Sequence, residues 1–160
     1  MIPGILLSDI VARWRDRLQA SAAVNDFCQT RFGKSPRIYL GTDAAAPPQD
    51  EDCPFIVIQP VRKTEGTEYR QYRYTVLVRW AVVNSAQTVT GAVTELAGLA
   101  DCDRLGQLIL AELASASAEH PLSYVKYQLP APESLTLPRF EGSLEAKIYL
   151  VPAMGGNIVY

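Results

Sequence analysis

The segment from Tyr69 to Asn84 constrains the fold of this chain more than any other stretch. Its even positions read Arg70, Tyr72, Tyr74, Val76, Val78, Trp80 and Val82, and its odd positions Tyr69, Gln71, Arg73, Thr75, Leu77, Arg79 and Ala81. Successive side chains of a strand point to opposite faces, so the pattern predicts one apolar face and one mixed polar face. At about 3.3 Å per residue such a strand would reach about 50 Å. A chain of 160 residues folds to a radius of gyration of only about 15 Å. The strand must bend, or it projects beyond its own core.

Helices bracket this β region. Ser8 is placed to cap a helix entered by Asp9, and Leu7, Ile10, Val11, Trp14 and Leu18 form its apolar stripe. Ser21 reads as a second cap after a break near residue 20, with Val24, Phe27, Cys28 and Phe32 leading to a stop at Gly33. Short strands are expected at Arg37–Leu40 and Phe55–Gln59, joined by a solvated hairpin connection, Thr42–Cys53, that carries Asp50-Glu51-Asp52. The stretch from Ser85 to Ala100 lacks a period and reads as a long loop. Asp101 then caps a helix whose stripe includes Leu105, Leu108, Ile109, Glu112 and Leu113 and which ends around Ser117. Two strands close the chain, Leu122–Leu129 and Arg139–Val151. In the latter, Phe140, Leu144, Ala146, Ile148 and Leu150 face inward and Glu141, Ser143, Glu145 and Lys147 outward. The expected architecture is α+β, in the order α-β-β-β-α-β-β. A largely antiparallel sheet of about five strands carries two main helices on one face, in a single domain spanning 1–160.

Composition excludes several function classes. Fifteen basic against seventeen acidic residues leave a net charge of −2, which argues against binding nucleic acid through bulk charge. No apolar run approaches the ~20 residues that span a bilayer. The start, Met1-Ile2-Pro3-Gly4-Ile5-Leu6-Leu7, is too short and lacks the basic leader of a signal peptide. The expectation is a soluble, intracellular protein.

The chain offers little recognisable chemistry. Cys28, Cys53 and Cys102 are odd in number and far apart, which fits reduced, buried thiols better than a disulfide framework or a zinc site. The one histidine, His120, precedes Pro121 past a helix end and reads as a surface residue. The acidic cluster at Asp50 lacks the spaced oxygen ligands and turn glycine of a calcium loop. No phosphate-loop, zinc-protease or nucleophile-elbow motif occurs. Neither catalysis, nor a cofactor, nor a metal is expected. Arg62-Lys63 with Arg70, Arg73 and Arg79, interleaved with Tyr69 and Tyr72, has the makings of a nucleic-acid stacking surface. The acidic net charge favours a solvated or interfacial strand face instead.

Several phrases resemble the small tail-terminator (tail-completion) proteins of long-tailed bacteriophages and prophages. They are Ala23-Val24-Asn25-Asp26 leading to Arg37-Ile38-Tyr39, then Pro54 through Gln59, then Tyr72 through Val78, followed by a loop and the helix Asp101–Ala114. The likeness runs from about Ile5 to Leu150. The longer first helix, around Arg13–Arg17, and the acidic loop Thr42–Cys53 depart from that pattern. The resemblance implies a virion structural protein without enzymatic activity. Its copies would form a homo-oligomeric ring, commonly hexameric, that caps the tail tube and ends its elongation. The other side of the ring would meet the head-side connector, and DNA would pass through the channel without sequence-specific binding. Such a protein resides in the virion tail and, during assembly, in the host cytoplasm. A small oligomeric ligand- or nucleic-acid-binding module of the bacterial cell is the alternative, with an enzyme ranked below it. For the ring, the candidate subunit contacts are Arg73, Thr75 and Arg79 on the long strand and Glu141, Glu145 and Lys147 on the last. They form two exposed sheet faces in this reading, whose opposite charges pair across a subunit boundary.

Overall fold

The computed structural model describes residues 5–66, 68–116, 120–129 and 136–151. In chain order, α1 (Leu7–Ala20) and α2 (Ala22–Phe32) precede β1 (Arg37–Leu40), β2 (Phe55–Thr64) and β3 (Tyr72–Val83). A small hairpin, β4 (Gln87–Thr90) and β5 (Val93–Leu96), runs into α3 (Ala97–Ala116), followed by β6 (Tyr124–Gln128) and β7 (Arg139–Leu150). Five strands make one sheet in the order β1-β2-β3-β7-β6, antiparallel except for the pair β1–β2. The fold class is α+β, with three helices where two main ones were expected.

The alternating segment forms the central strand. Tyr72, Tyr74, Val76, Val78, Trp80 and Val82 are all buried, and the inward residues of β7 continue that apolar sheet face. Over it α1 lies against β1 and β2, α3 against β3 and β7, and α2 against both helices. The stripes Ile10/Trp14/Leu18 and Leu105/Ile109/Leu113 meet the inward residues in one core. Glu112, at the margin of the α3 stripe, accepts from Arg17 Nε at 2.9 Å and from Ser21 Oγ at 2.8 Å. That ties α3 to the α1–α2 junction.

Trp80 has the most demanding seat in this core. It stands directly opposite Gly142 on β7, and a Cβ at Gly142, or at Gly106 of α3, would run into the indole. The sheet and helix approach this closely because both positions lack a side chain. The indole Nε1 donates to the Cys102 carbonyl at 2.9 Å, so burial leaves no unmet donor. Tyr127 of β6 closes the site, its ring 5.3 Å from that of Trp80 and its hydroxyl donating to Asp103 Oδ1 at 2.8 Å.

The structure corrects several expectations. The first helix starts at Leu7 with Leu6 at its cap, not Ser8, and no side chain caps it. The chain just before it is clamped from β2: Lys63 Nζ donates to the Ile5 carbonyl at 2.6 Å, and Ile5 N–H donates to Glu65. Ser21 does cap α2, its hydroxyl accepting from Val24 N–H at 3.1 Å, and Gly33 ends that helix in the left-handed region at φ 74°. The connection Thr42–Cys53 is no hairpin. It belongs to a crossover between parallel strands, and parallel pairing needs a connection of about a dozen residues or more. Strand β2 continues past Gln59 to Thr64 with a bulge between Pro60 and Arg62. Proline is tolerated there because β1 stops pairing at Ile58 and leaves that part of β2 an edge.

Asp101 caps nothing. It lies inside α3, 4% exposed, where Oδ1 accepts from Arg31 Nε at 2.9 Å and Oδ2 from Asn84 Nδ2 at 2.7 Å. The stretch Ser85–Ala100 is not a loop but the hairpin and the first turn of α3. Both faces of the hairpin are largely exposed, so no apolar alternation marks it. Its signal is β-branched content (Thr88, Val89, Thr90, Val93, Thr94) around Gly91, which takes φ 60° in the tight turn. The long strand is twelve residues, not sixteen, because Tyr69, Arg70 and Gln71 belong to the connection before it and Asn84 to the one after it. The helix end expected at Ser117 lies outside the described residues.

Trp80→Ala should lower stability by about 3–5 kcal/mol, the usual cost of removing a buried aromatic. Gly142→Ala should cost about 1–3 kcal/mol by overpacking the same site. Urea unfolding of both variants checks this. A loss under about 1 kcal/mol for Trp80→Ala would contradict the core described here.

Candidate functional site: the open face of the sheet

The face of the sheet away from the helices is built by the odd residues of β3 and β7 and their neighbours on β2. At one end it carries its own small apolar cluster, Cys53, Phe55, Val57 and Ala81, with Tyr39 and Val83 packed against it. The crossover lies at this end and is fastened by Arg139. That guanidinium donates to the Pro48 carbonyl at 3.1 Å, meets Glu141 at 2.5 Å and stands 5.0 Å over the Phe55 ring. Asp50–Asp52 forms a single 3₁₀ turn, closed by Gln49 N–H donating to Asp52 Oδ2 at 2.8 Å. Arg37 pairs with Asp52 at 2.7 Å.

Beyond this cluster the face is polar. Arg73, Thr75, Arg79, Glu141, Glu145 and Lys147 all lie on it. The structure joins what the sequence reading held as two surfaces. Because β3 and β7 are adjacent, Thr75 sits opposite Lys147, Leu77 opposite Glu145 and Ala81 opposite Glu141. The carboxylates are engaged within their own strand: Glu141 with Arg139, and Glu145 with Lys147 at 3.3 Å. Lys147 also stands 4.9 Å over the Tyr124 ring. Arg73 stacks 5.7 Å over Tyr149, and Arg79 reaches Thr42 Oγ1 at 3.4 Å. Neither arginine has an ion pair with a described residue, so the face keeps a surplus of positive charge. Thr75 is 9% exposed, beneath these side chains.

At the end of the face opposite the acidic turn, a cleft of about 390 Å³ opens where β2 gives way to β3. Arg62, Arg70, Arg73 and Lys147 supply its charge, Thr64 and Thr75 its hydroxyls, and Tyr69 and Tyr149 its rings, with Glu68 the one carboxylate in the lining. Sequence reasoning grouped Arg62, Tyr69, Arg70 and Arg73 as an aromatic and basic set, and the structure brings these four together. It does not bring in the others. Tyr72 is buried under the helices, Lys63 turns to Ile5 and Glu65, and Arg79 lies further along β3. The share of Lys147 and Tyr149 in the cleft was not legible, because it needs the β3–β7 register.

Burial holds the protons on the three thiols and on two tyrosine hydroxyls. Cys28, Cys53 and Cys102 are buried and unbridged. Burial pushes the thiols of Cys28 and Cys102 up to about 12 and that of Cys53 up to about 11, against an ordinary value of 9.0. Burial also raises the Tyr74 and Tyr127 hydroxyls, reinforced by hydrogen bonds to Glu65 and Asp103. His120, expected at the surface, is half-buried, with Nδ1 shielded and no hydrogen-bond partner among the described residues. Among the described residues no cluster of His, Cys, Asp and Glu is placed to hold a metal ion, and no helix is long and apolar enough to cross a membrane. No protein-family model matches the chain, and neither does any curated protein.

The raised thiol values give a signed pH dependence. A group that holds its proton more tightly folded than unfolded stabilises the fold below its unfolded pKa and loses that contribution as pH rises toward the folded one. Stability should therefore fall from about pH 9 toward pH 11 to 12 as the unfolded thiols ionise first. Urea midpoints across that range check it, and a flat profile would contradict it. At pH 8 a thiol-directed reagent should leave all three cysteines of the folded chain unmodified and label them after unfolding.

Proposed function

We propose that this protein is a virion structural subunit that forms a ring on the end of a phage tail tube. There it ends tail elongation and contributes to head–tail joining, and it carries out no enzymatic turnover. The ring, commonly of six copies in the proteins it resembles, would meet the tube on one side and the head-side connector on the other and leave a channel for DNA. Its place is the virion tail, reached from the host cytoplasm during assembly. The resemblance in the sequence suggests this role. The observation that supports it is the open sheet face, one side of a five-stranded sheet left without helices and carrying Arg73 and Arg79, neither ion-paired with a described residue. A face of this kind suits a contact with another copy, where charge sets register and rejects wrong partners. The β4–β5 hairpin adds a second surface, with Val89 and Val93 exposed on a two-stranded ribbon of a kind that is marginally stable alone.

A second reading has its own observation. The cleft gathers Arg62, Tyr69, Arg70 and Arg73, which suits a module that binds an anionic ligand or single-stranded nucleic acid. The acidic net charge of −2 ranks it second.

Arg73→Glu with Arg79→Glu tests the leading reading. Both side chains are exposed, and exposed reversals usually change stability by no more than about 0.5 kcal/mol. The double variant should keep the circular dichroism of the parent, remain monomeric by light scattering, and yield tails that fail to end or join heads under the electron microscope. Rings and normal tails from the variant would contradict the role given to this face.

A further inference from the structure

We propose that the basic cleft receives the acidic turn Asp50–Asp52 of a second copy of this chain, so that copies associate head to tail along the open face. This deepens the ring reading and rests on it for closure of the assembly. The cleft is built to take carboxylates: Arg62, Arg70 and Arg73 line it, and none makes an ion pair with a described residue. Glu141 and Glu145 cannot serve, since Arg139 and Lys147 already hold them. The acidic turn supplies further carboxylates to a lining that has four cations against one acid, Glu68. Asp50 and Glu51 are exposed; among the described residues Asp50 has only a long 3.5 Å contact to Arg139, and the Glu51 carboxylate has no ion pair. The turn is also preorganised. The Gln49–Asp52 capping box closes it, and Lys34 Nζ donates to the Glu51 carbonyl at 3.1 Å.

The two features lie at opposite ends of β2, whose ten residues span about 30 Å, so they cannot meet within one chain. Complementary patches at opposite ends of one molecule make a heterologous contact, which closes into a ring when the rotation permits and otherwise grows a filament. A nucleic-acid backbone fits less well. It would favour a continuous basic track, whereas Glu145 and Glu141 interrupt this face beyond the cleft.

Two reversal variants of the full chain test the pairing: Arg70→Glu with Arg73→Glu in the cleft, and Asp50→Lys with Glu51→Lys in the turn. Sedimentation velocity in low-salt buffer reads assembly, and circular dichroism reads folding. The parent should form species larger than a dimer. Each variant alone, now with like charges at both ends, should associate at least tenfold more weakly. An equimolar mixture should assemble again, because each turn then meets a cleft of opposite charge. A monomeric parent, variants that assemble alone, or a mixture that stays monomeric would each overturn the proposal. Should a reversal unfold the chain, Arg70→Gln with Arg73→Gln carries the same test, with loss of assembly expected. A single-stranded oligonucleotide that binds the parent, fails to bind the cleft variant and leaves the parent monomeric would assign the cleft to phosphate and overturn the proposal. Rings that persist in both variants would refute the charge pairing and leave the tail role standing. Head-to-tail assembly with normal tails from phage lacking the protein would refute the tail role and leave the pairing standing.

Discussion

Close packing around Trp80 sets how near the helices can come to the sheet and in what register its strands pair. An indole at the centre of the sheet needs depth, and the chain provides it by leaving Gly142 opposite and Gly106 above without side chains. The hydrogen bond to the Cys102 carbonyl then fixes the ring, and with it the height of α3 over β3 and β7. Register follows from the same contact. A slip of one residue in β7 would replace Gly142 with a side chain and exchange the two faces of the strand.

Holding the helices on one face leaves the other face to do something else. The crossover, pinned through Arg139, covers the apolar residues where β2 begins. Past them the sheet is polar, and β7 neutralises its own acids with its own cations. The positive charge of β3 is thereby left uncompensated, and the β2–β3 connection gathers it into a cleft. Acidic and basic ends separated along one strand give the molecule a direction, which a closed isologous dimer would not use but a head-to-tail assembly would.

Much of this was legible in the residues. The alternation of Tyr72 through Val83 identified the buried face, Ser21 and Gly33 marked the ends of α2, and the even residues of β7 showed which side faced the core. The misses share a physical cause, which is that local pattern says nothing about partners. Asp101 looks like a cap because aspartate serves that role so often, yet Arg31 and Asn84 claim it from distant parts of the chain. The β4–β5 hairpin buries neither face, so the period that reveals strands was absent. The parallel pairing of β1 could have been suspected from the length of its crossover. The cleft could not have been drawn from sequence, since it depends on Lys147 and Tyr149 lying beside Thr75 and Arg73. Glycines in the middle of α3 and of β7 were the available sign that something large approaches there.

Locating contacts between copies tests whether the open face joins them head to tail. A mixture of isotopically light and heavy chains, joined by a carbodiimide that couples carboxylates directly to amines, gives that location by mass spectrometry. Head-to-tail pairing should give mixed-isotope peptide pairs joining Lys147 in the cleft to Asp50 or Glu51 in the turn. Mixed pairs confined to the helical face, with Lys147 joined to neither residue, would contradict it.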